Sequence, residues 1–263
     1  MFDEDAIRDL ERRAAAAWPA FKQATLEGWL LRFSEGASRR ANSVLALDET
    51  GDSPLEARVD SAEHYYRQRG LPCRFQISGA VRPRGLDAEL ERRGYGIEAR
   101  TLVMTAPLAA LRENLGGQAD SATQIRLFSG PTGAWLQVFG AGVRDDRERA
   151  LRCRLAEGLP APRAYAVADV SGYPAAVGAA VLTAPWLMIL CMATRDVYRR
   201  QGLAARVLAA LAAWGESGDA ADRAFLQVET DNEPALALYH KAGFQAAHTY
   251  YYRTQQLPGP DHA

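Results

Sequence analysis

A long uncharged stretch limits the folds open to this chain more than any other feature of its sequence. No charged residue occurs from Val170 to Thr194, which is long enough to cross a lipid bilayer. Pro174 and Pro185, however, bound two apolar runs of strand length, Ala175 to Thr183 and Leu187 to Thr194. Proline breaks around runs of this length favour a β-hairpin buried in a protein core over a membrane-spanning helix.

The rest of the chain alternates between segments of helical and of strand character. Apolar residues recur every three or four positions in the predicted helices, at 7–18, 55–69, 86–93, 132–139, 145–156, 202–214 and 233–242. Besides the hairpin, strands are predicted at 29–34, 42–47, 73–77, 97–104, 124–127, 165–170, 225–228 and 244–253. This order predicts an α/β (α+β) fold with a mixed central sheet flanked by helices.

A basic, glycine-containing loop follows the second apolar run, in the segment Val197 to Leu208. The order strand, loop, helix matters because the first amides of a helix lack intrahelical partners and carry partial positive charge. Gly202 lets the backbone approach an anion, and Arg199, Arg200 and Arg206 add full charges. The loop therefore predicts binding of a pyrophosphate or a similar anion. Neither G-x-G-x-x-G nor G-x-x-x-x-G-K-[ST] occurs, which argues against a Rossmann fingerprint and a P-loop.

Composition narrows the classes of partner and compartment. The net charge is -1, from 31 Lys and Arg against 32 Asp and Glu, so no global basic excess indicates nucleic acid. Three widely spaced cysteines, Cys73, Cys153 and Cys191, suit reduced thiols in a cytoplasmic protein. The four histidines have no ligand spacing with them, so no metal site is expected. The acidic N-terminus lacks an apolar signal core.

A second motif lies about thirty residues beyond the loop. It matches N-x-x-A-x-x-L-Y-x-x-x-G-F through Asn232, Ala235, Leu238, Tyr239, Gly243 and Phe244. The loop itself matches [RQ]-x-x-G-x-[GA] through Arg199, Gly202 and Ala204. With both motifs at this spacing, the chain from about 125 to 252 resembles the GNAT superfamily of acyl-CoA-dependent N-acetyltransferases. The resemblance implies a GNAT fold with acetyl-CoA as co-substrate.

The resemblance also implies which residues would bind the cofactor. The loop residues Arg199, Arg200, Gln201, Gly202, Leu203, Ala204 and Ala205 would hold the CoA pyrophosphate, with the amides of 200–205 as donors. Met192, Ala193 and Thr194 would pair through their backbone with the pantetheine arm. Asn232 precedes Glu233-Pro234 and is equally suited to cap the following helix or to contact the cofactor.

The sequence identifies the catalytic acid and base less clearly than the cofactor-binding residues. In the family, a tyrosine at the position of Tyr239 often protonates the departing CoA thiolate, and the alternative is a core aromatic. The ribosomal-protein N-terminal acetyltransferases, which this half resembles, often have a glutamate just before the second motif. This chain has Gln227 at that position, and a glutamine cannot act as a base. Glu229 is a weak candidate for the general base. Asp145 and Asp146 are the other choice, although a charged helix start explains them as well.

The N-terminal half echoes the C-terminal one, because a helix, Gly94-Tyr95 and a strand follow one another as around Gly243. Aligning the two glycines places Leu90 at the position of Tyr239, and no R-x-x-G-x-A loop precedes it. We therefore predict a degenerate GNAT-like module at 1–113, a linker at 114–123, a catalytic module at 124–256 and a flexible tail at 257–263. Polar residues near the first hairpin could shape an acceptor pocket, although a surface hairpin is the favoured interpretation: Arg32, Ser34, Arg40, Asn42 and Ser43.

The predicted function is transfer of an acetyl group from acetyl-CoA to a primary amine by direct attack. A non-catalytic acyl-CoA-binding or sensing module is the alternative, favoured by the missing base. The expected partners are acetyl-CoA and an amine acceptor, a small molecule or a peptide, with no nucleic acid and no membrane. The motifs do not identify the acceptor, because a fold does not name a substrate.

Overall fold

A computed structural model of the chain describes residues 2–116, 123–217 and 220–255. The α-helices are α1 (Glu4–Ala17), α2 (Leu55–Arg67), α3 (Leu86–Arg92), α4 (Leu108–Leu115), α5 (Gly133–Gly140), α6 (Asp146–Glu157), α7 (Leu203–Glu216) and α8 (Glu233–Ala242). The strands are β1 (Lys22–Leu26), β2 (Trp29–Phe33), β3 (Val44–Leu45), β4 (Arg74–Ser78), β5 (Gly96–Pro107), β6 (Thr123–Phe128), β7 (Arg163–Val170), β8 (Tyr173–Thr183), β9 (Trp186–Thr194), β10 (Arg223–Glu229) and β11 (Gln245–Thr254). A 3₁₀ turn at Asp196–Tyr198 precedes α7.

The chain divides into two compact units. Unit 1 comprises Met1–Ala15, Ala20–Thr101 and His248–Ala263, and unit 2 comprises Ala16–Pro19 and Leu102–Ala247. The division therefore falls within α1, β5 and β11. The predicted modules at 1–113 and 124–256 stay predictions. Most of the predicted linker, 117–122, and the tail at 257–263 lie outside the described residues.

Unit 1 contains the strand order β1-β2-β3-β4-β11. The pairs are antiparallel except for β3 with β4, which run parallel. One core cluster packs aromatic residues of the sheet against α2 and α3, with Trp29 and Phe75 in edge-to-face contact at a centroid distance of 5.6 Å. Burial of these large rings supplies much of the hydrophobic stabilisation of this unit.

The predicted surface hairpin in unit 1 is wrong, because its polar residues are buried. Arg32 is only 1% exposed, and Ser34, Asn42 and Ser43 are buried as well. The Arg32 guanidinium donates to Ser43 Oγ at 2.8 Å and to Gln76 Oε1 at 2.7 Å. Buried polar groups must find such partners, so these residues are tied to the interior of unit 1.

Unit 2 contains the strand order β5-β10-β9-β8-β7-β6. The uncharged stretch forms the predicted hairpin, β8 and β9, at the centre of this order. The apolar face of α7 packs on one side of the sheet, where Ala164, Ala166 and Ala168 join its core cluster. The alternate residue Tyr165 points to the other side, where it contacts Trp135 of α5 and donates to the Ala156 carbonyl of α6. Hence α7 and the α5–α6 pair cover opposite faces.

Most predicted elements are confirmed, and the mixed sheet with flanking helices is the predicted fold class. Two elements were missed, β1 and α4, and the strand expected at 42–47 is only the two-residue β3. The cysteines Cys73, Cys153 and Cys191 are not joined in disulfide bonds. Among the described residues, no helix is both long enough and apolar enough to cross a membrane.

Candidate active site

Strands β9 and β10 separate after a short parallel contact. They pair only from Trp186 with Arg223 to Met188 with Phe225, while β9 continues to Thr194 and β10 to Glu229. The opposite edge of β9 is paired with β8 as far as Thr194. Backbone groups on the edge that faces β10 are therefore open to another partner beyond Met188. Met192, Ala193 and Thr194, predicted to pair with the cofactor, lie in this open part and are half-buried.

A β-bulge bends β9 within its open part. The register with β8 passes from Leu190 opposite Ala179 to Ala193 opposite Val177, so two residues of β9 face one of β8. Cys191, one of the two residues in the bulge, has a φ of +57°. A bulge adds twist and redirects the residues that follow, here Met192 to Thr194.

The loop between β9 and α7 forms a concave backbone turn. Arg200 has φ of +64° and Gly202 has φ of +76°. Gly202 is the N-cap of α7 and no side chain caps the helix, so the amides of Leu203, Ala204 and Ala205 lack intrahelical acceptors. A Cβ added at Gly202 would meet no atom within 4 Å. The turn therefore presents helix-start amides at an open surface, which is the arrangement that binds anions.

The polar and charged side chains of this loop differ in their contacts with the rest of the protein. Arg199 pairs with Asp196 at 2.8 Å, and Gln201 Nε2 donates to the Val197 carbonyl at 3.5 Å. Arg206, predicted to add charge to the anion site, donates instead to the Thr123 carbonyl at 2.9 Å. Arg200 is exposed and forms no ion pair with a described residue. Arg200 is thus the loop cation most available to a ligand.

Tyr239 lies on α8, which directly follows β10. Asn232 caps this helix by accepting from the Ala235 amide at 3.3 Å, and Gly243 ends it with φ of +101°. The Tyr239 ring is 7% exposed and contacts Phe244 edge-to-face at 5.8 Å. Burial raises the pKa of Tyr239 to about 12. The phenol is therefore protonated at neutral pH and has a proton to give.

The carboxylates predicted as possible bases are engaged or exposed. Asp145 caps α6 by accepting from the Glu148 amide at 2.7 Å, and Asp146 pairs with Arg149. Glu229 is exposed at the end of β10, two residues after the half-buried Gln227. Within 2–116, 123–217 and 220–255, no three His, Cys, Asp or Glu side chains converge in a way that could hold a metal ion.

An open pocket on the surface of unit 2 is lined in part by Arg195, a residue that the motifs missed. It has a volume of about 570 Å³ and lies between α5, α6 and Arg195, the residue that follows β9. Arg195 is also the first charged residue after the uncharged stretch. That position is the only signal in the sequence that could have singled it out.

Comparison with known proteins assigns the chain to a family. The model of the family described as "Probable histone acetyltransferase Rv0428c C-terminal" matches residues 5–253. The chain belongs to this family. YobR of Bacillus subtilis, an uncharacterized N-acetyltransferase, is 29% identical over 256 residues, covering 96% of this chain and 100% of YobR. Rv0428c of Mycobacterium tuberculosis, a probable histone acetyltransferase, is 29% identical over 261 residues, covering 97% of this chain and 76% of that protein.

Solved structures agree on the fold. A GCN5-related N-acetyltransferase from Kribbella flavida matches with a TM-score of 0.70 at 13% identity, covering 95% of this chain and 96% of that one. A tandem GNAT protein from the clavulanic acid biosynthesis pathway matches with a TM-score of 0.60 at 13% identity, covering 78% and 70%. The protein is thus an acyltransferase, and its fold is that of GNAT proteins, as the two motifs predicted.

Proposed function

We propose that this member of the Rv0428c C-terminal family transfers an acetyl group from acetyl-CoA to a primary amine by direct attack. One observation carries the proposal: the open edge of β9 ends at Thr194, and the helix-start amides of α7 begin nine residues later, at Leu203. An extended chain of amides ending in a pyrophosphate, which is the shape of CoA, has matching partners along this path.

Each part of the path has a role in cofactor binding. The amides of 200–205 donate to the pyrophosphate. Gly202 leaves room for it, because a Cβ placed on this residue would have no atom within 4 Å. The exposed Arg200 adds a full positive charge. Backbone groups of Met192, Ala193 and Thr194 pair with the amides of the pantetheine arm, and the bulge at Cys191 directs them.

The chemistry is acyl transfer, in which the thioester supplies the acetyl group. The neutral amine attacks the thioester carbonyl, a C–N bond forms and the C–S bond breaks. Tyr239 donates its phenol proton to the departing thiolate, since burial keeps this group protonated. The ammonium proton passes to a base, for which Glu229, exposed at the end of β10, is the candidate.

A non-catalytic acyl-CoA sensor is the second candidate, because Gln227 stands where related enzymes often carry a glutamate base. Release of CoA from acetyl-CoA, measured over a broad amine panel, distinguishes the two. The panel includes a lysine peptide, since the mycobacterial relative is named a probable histone acetyltransferase. Turnover of any amine, lowered on the order of 100-fold by Tyr239→Phe, supports the enzyme. Tight acetyl-CoA binding without turnover of any amine supports the sensor.

A further inference from the structure

The indole of Trp135 donates a hydrogen bond to the strand that pairs with the open part of β9. Trp135 lies on α5 and is fully buried, and its Nε1 donates to the Gly178 carbonyl of β8 at 3.0 Å. Gly178 lies between Val177 and Ala179, where the register of β8 with β9 shifts. A carbonyl oxygen has two lone pairs, so it can accept from the indole in addition to a strand amide. The indole N–H therefore reaches the sheet at the β-bulge.

The opposite face of Gly178 is also matched to the bulge. Cys191 and Met192 are the two residues of β9 that stand opposite Gly178. A Cβ on Gly178 would overlap Met192 Sδ and would lie 2.8 Å from Val207 Cγ1 and 3.1 Å from Leu211 Cδ1. Val207 and Leu211 belong to α7, so the missing side chain leaves the space in which Met192 meets this helix. The bulge is thus contacted from the α5 face by Trp135 and from the α7 face by Met192.

The other side chains of β8 are too alike in size to fix its register with β9. Four alanines flank Val177 and Gly178 in this strand: Ala175, Ala176, Ala179 and Ala180. Register is weakly specified where side chains are this small, because neighbouring pairings bury similar surfaces. A one-residue displacement of the bulge would turn Met192 to the other face and change which backbone groups of 192–194 lie on the open edge. The Trp135 hydrogen bond and the space at Gly178 both oppose such a displacement.

We propose that Trp135 is a positioning residue for the acyl donor. Its indole N–H holds the bulge of β9 at Cys191 and Met192, and the bulge determines which backbone groups of Met192 to Thr194 face acetyl-CoA. The inference rests on the proposed function, in which these groups pair with the pantetheine arm. Trp135 is fully buried, so it acts through β8 and β9.

The test compares two ligands by calorimetry. Acetyl-CoA has both the pyrophosphate and the pantetheine arm, whereas 3′-phosphoadenosine 5′-diphosphate has the pyrophosphate and lacks the arm. Trp135→Phe keeps an aromatic ring near Phe139 and Tyr165 and removes the N–H donor. We expect the Kd of acetyl-CoA to rise on the order of 10-fold, the factor for one lost hydrogen bond, and the KM for acetyl-CoA to rise with it. The Kd of the fragment should be unchanged, because the amides of α7 are not altered.

Tyr165→Phe is the matched control on the same face of the sheet. Tyr165 contacts the Trp135 ring, and its hydroxyl donates to the Ala156 carbonyl of α6. This variant also removes one buried hydrogen bond, but at a group outside β8 and β9. It should lower the melting temperature and leave the Kd of both ligands unchanged.

A second replacement separates the lost donor from the lost ring volume. Benzothienylalanine at position 135 keeps the two-ring shape of the indole and has a sulfur atom in place of the N–H. It should raise the Kd of acetyl-CoA as Trp135→Phe does, because both lack the donor to Gly178.

The outcomes that overturn the proposal are distinct from those that overturn the proposed function. Wild-type affinity for acetyl-CoA with benzothienylalanine at position 135 overturns the positioning role. An equal loss for the fragment, or the same loss in Tyr165→Phe, overturns it as well, because general destabilisation of unit 2 would then explain the effect. If the wild-type protein binds acetyl-CoA no more tightly than the fragment, the proposed path along β9 is itself wrong, and the role of Trp135 is wrong with it.

Discussion

The helix ends at Gly94 in unit 1 and at Gly243 in unit 2 have the same local structure. The glycine amides donate to the Glu91 and His240 carbonyls, and the next amides donate to the Leu90 and Tyr239 carbonyls. Both glycines have positive φ, +78° and +101°. These are Schellman motifs, in which the residue three positions inside the helix packs against the residue after the glycine.

The two units differ in what they build on this shared motif. Leu90 is buried in an apolar cluster, whereas the corresponding Tyr239 carries a phenol. Unit 1 connects buried polar side chains to one another, as in the contacts of Arg32 with Gln76 and of Gln76 with Glu11. Unit 2 has an apolar core and begins α7 without a side-chain cap, which leaves the first amides of the helix open. In unit 1 these polar side chains bind one another, whereas in unit 2 the first amides of α7 are open to a ligand.

The largest expected effect is on the stability of unit 1. Arg32→Met removes a buried cation from a chain of contacts in which Gln76 donates to Glu11 and Glu11 contacts His248 at 2.8 Å. Without the guanidinium, Ser43 and Gln76 Oε1 each lose a buried hydrogen-bond partner, which costs about 1–3 kcal/mol per group. Chemical denaturation should report this loss in the free energy of unfolding. A loss below about 1 kcal/mol, the range of surface pairs, would contradict the structural role of the network.

The next effect is on catalysis in unit 2. Tyr239→Phe should lower kcat on the order of 100-fold, which corresponds to ~2.7 kcal/mol, and leave the Kd of acetyl-CoA unchanged. Tyr95→Phe is the control from unit 1, where the hydroxyl donates to Glu63 at 3.0 Å. It should cost about 1 kcal/mol of stability without a change in kcat. Unchanged kcat in Tyr239→Phe would make this residue a core aromatic, like its counterpart Leu90.

The smallest expected effect concerns the two roles open to Asn232. Asn232→Ala should cost about 1 kcal/mol of stability, because the side chain caps α8. Asn232→Asp keeps the cap and adds a negative charge. If Asn232 only caps the helix, thermal denaturation and the Kd of acetyl-CoA are both unchanged in Asn232→Asp. A raised Kd with unchanged stability would show that the side chain also contacts the cofactor.

The sequence predicted those features that depend on local patterns. The hairpin β8–β9 and the helices α7 and α8 follow from apolar runs, proline breaks and capping residues. Strand β1 was missed because only Ala24 and Leu26 are apolar and three of its five residues are exposed, so the alternation is too short to stand out. The burial of Arg32 depends on Gln76, 44 residues away, and no local pattern contains that information.

The same reasoning separates the parts of the candidate site. The glycine loop and the Tyr239 motif are continuous in sequence and could be recognised. The separation of β9 from β10 and the bulge at Cys191 arise from pairing between strands, which no short segment encodes. The pocket that Arg195 lines is completed by α5 and α6, which are distant in sequence, so no local pattern could predict it.

Calorimetric titration of acetyl-CoA into Gly202→Asp and Gly94→Asp tests the central claim most directly. The two glycines are matched, since both have φ near +77° (+76° and +78°) and neither Cβ would meet an atom within 4 Å. Backbone strain of ~1 kcal/mol should therefore be similar in both variants. The account predicts that Gly202→Asp weakens acetyl-CoA binding on the order of 100-fold, because a carboxylate faces the pyrophosphate, while Gly94→Asp binds like the wild type. Equal affinities in the two variants would contradict it.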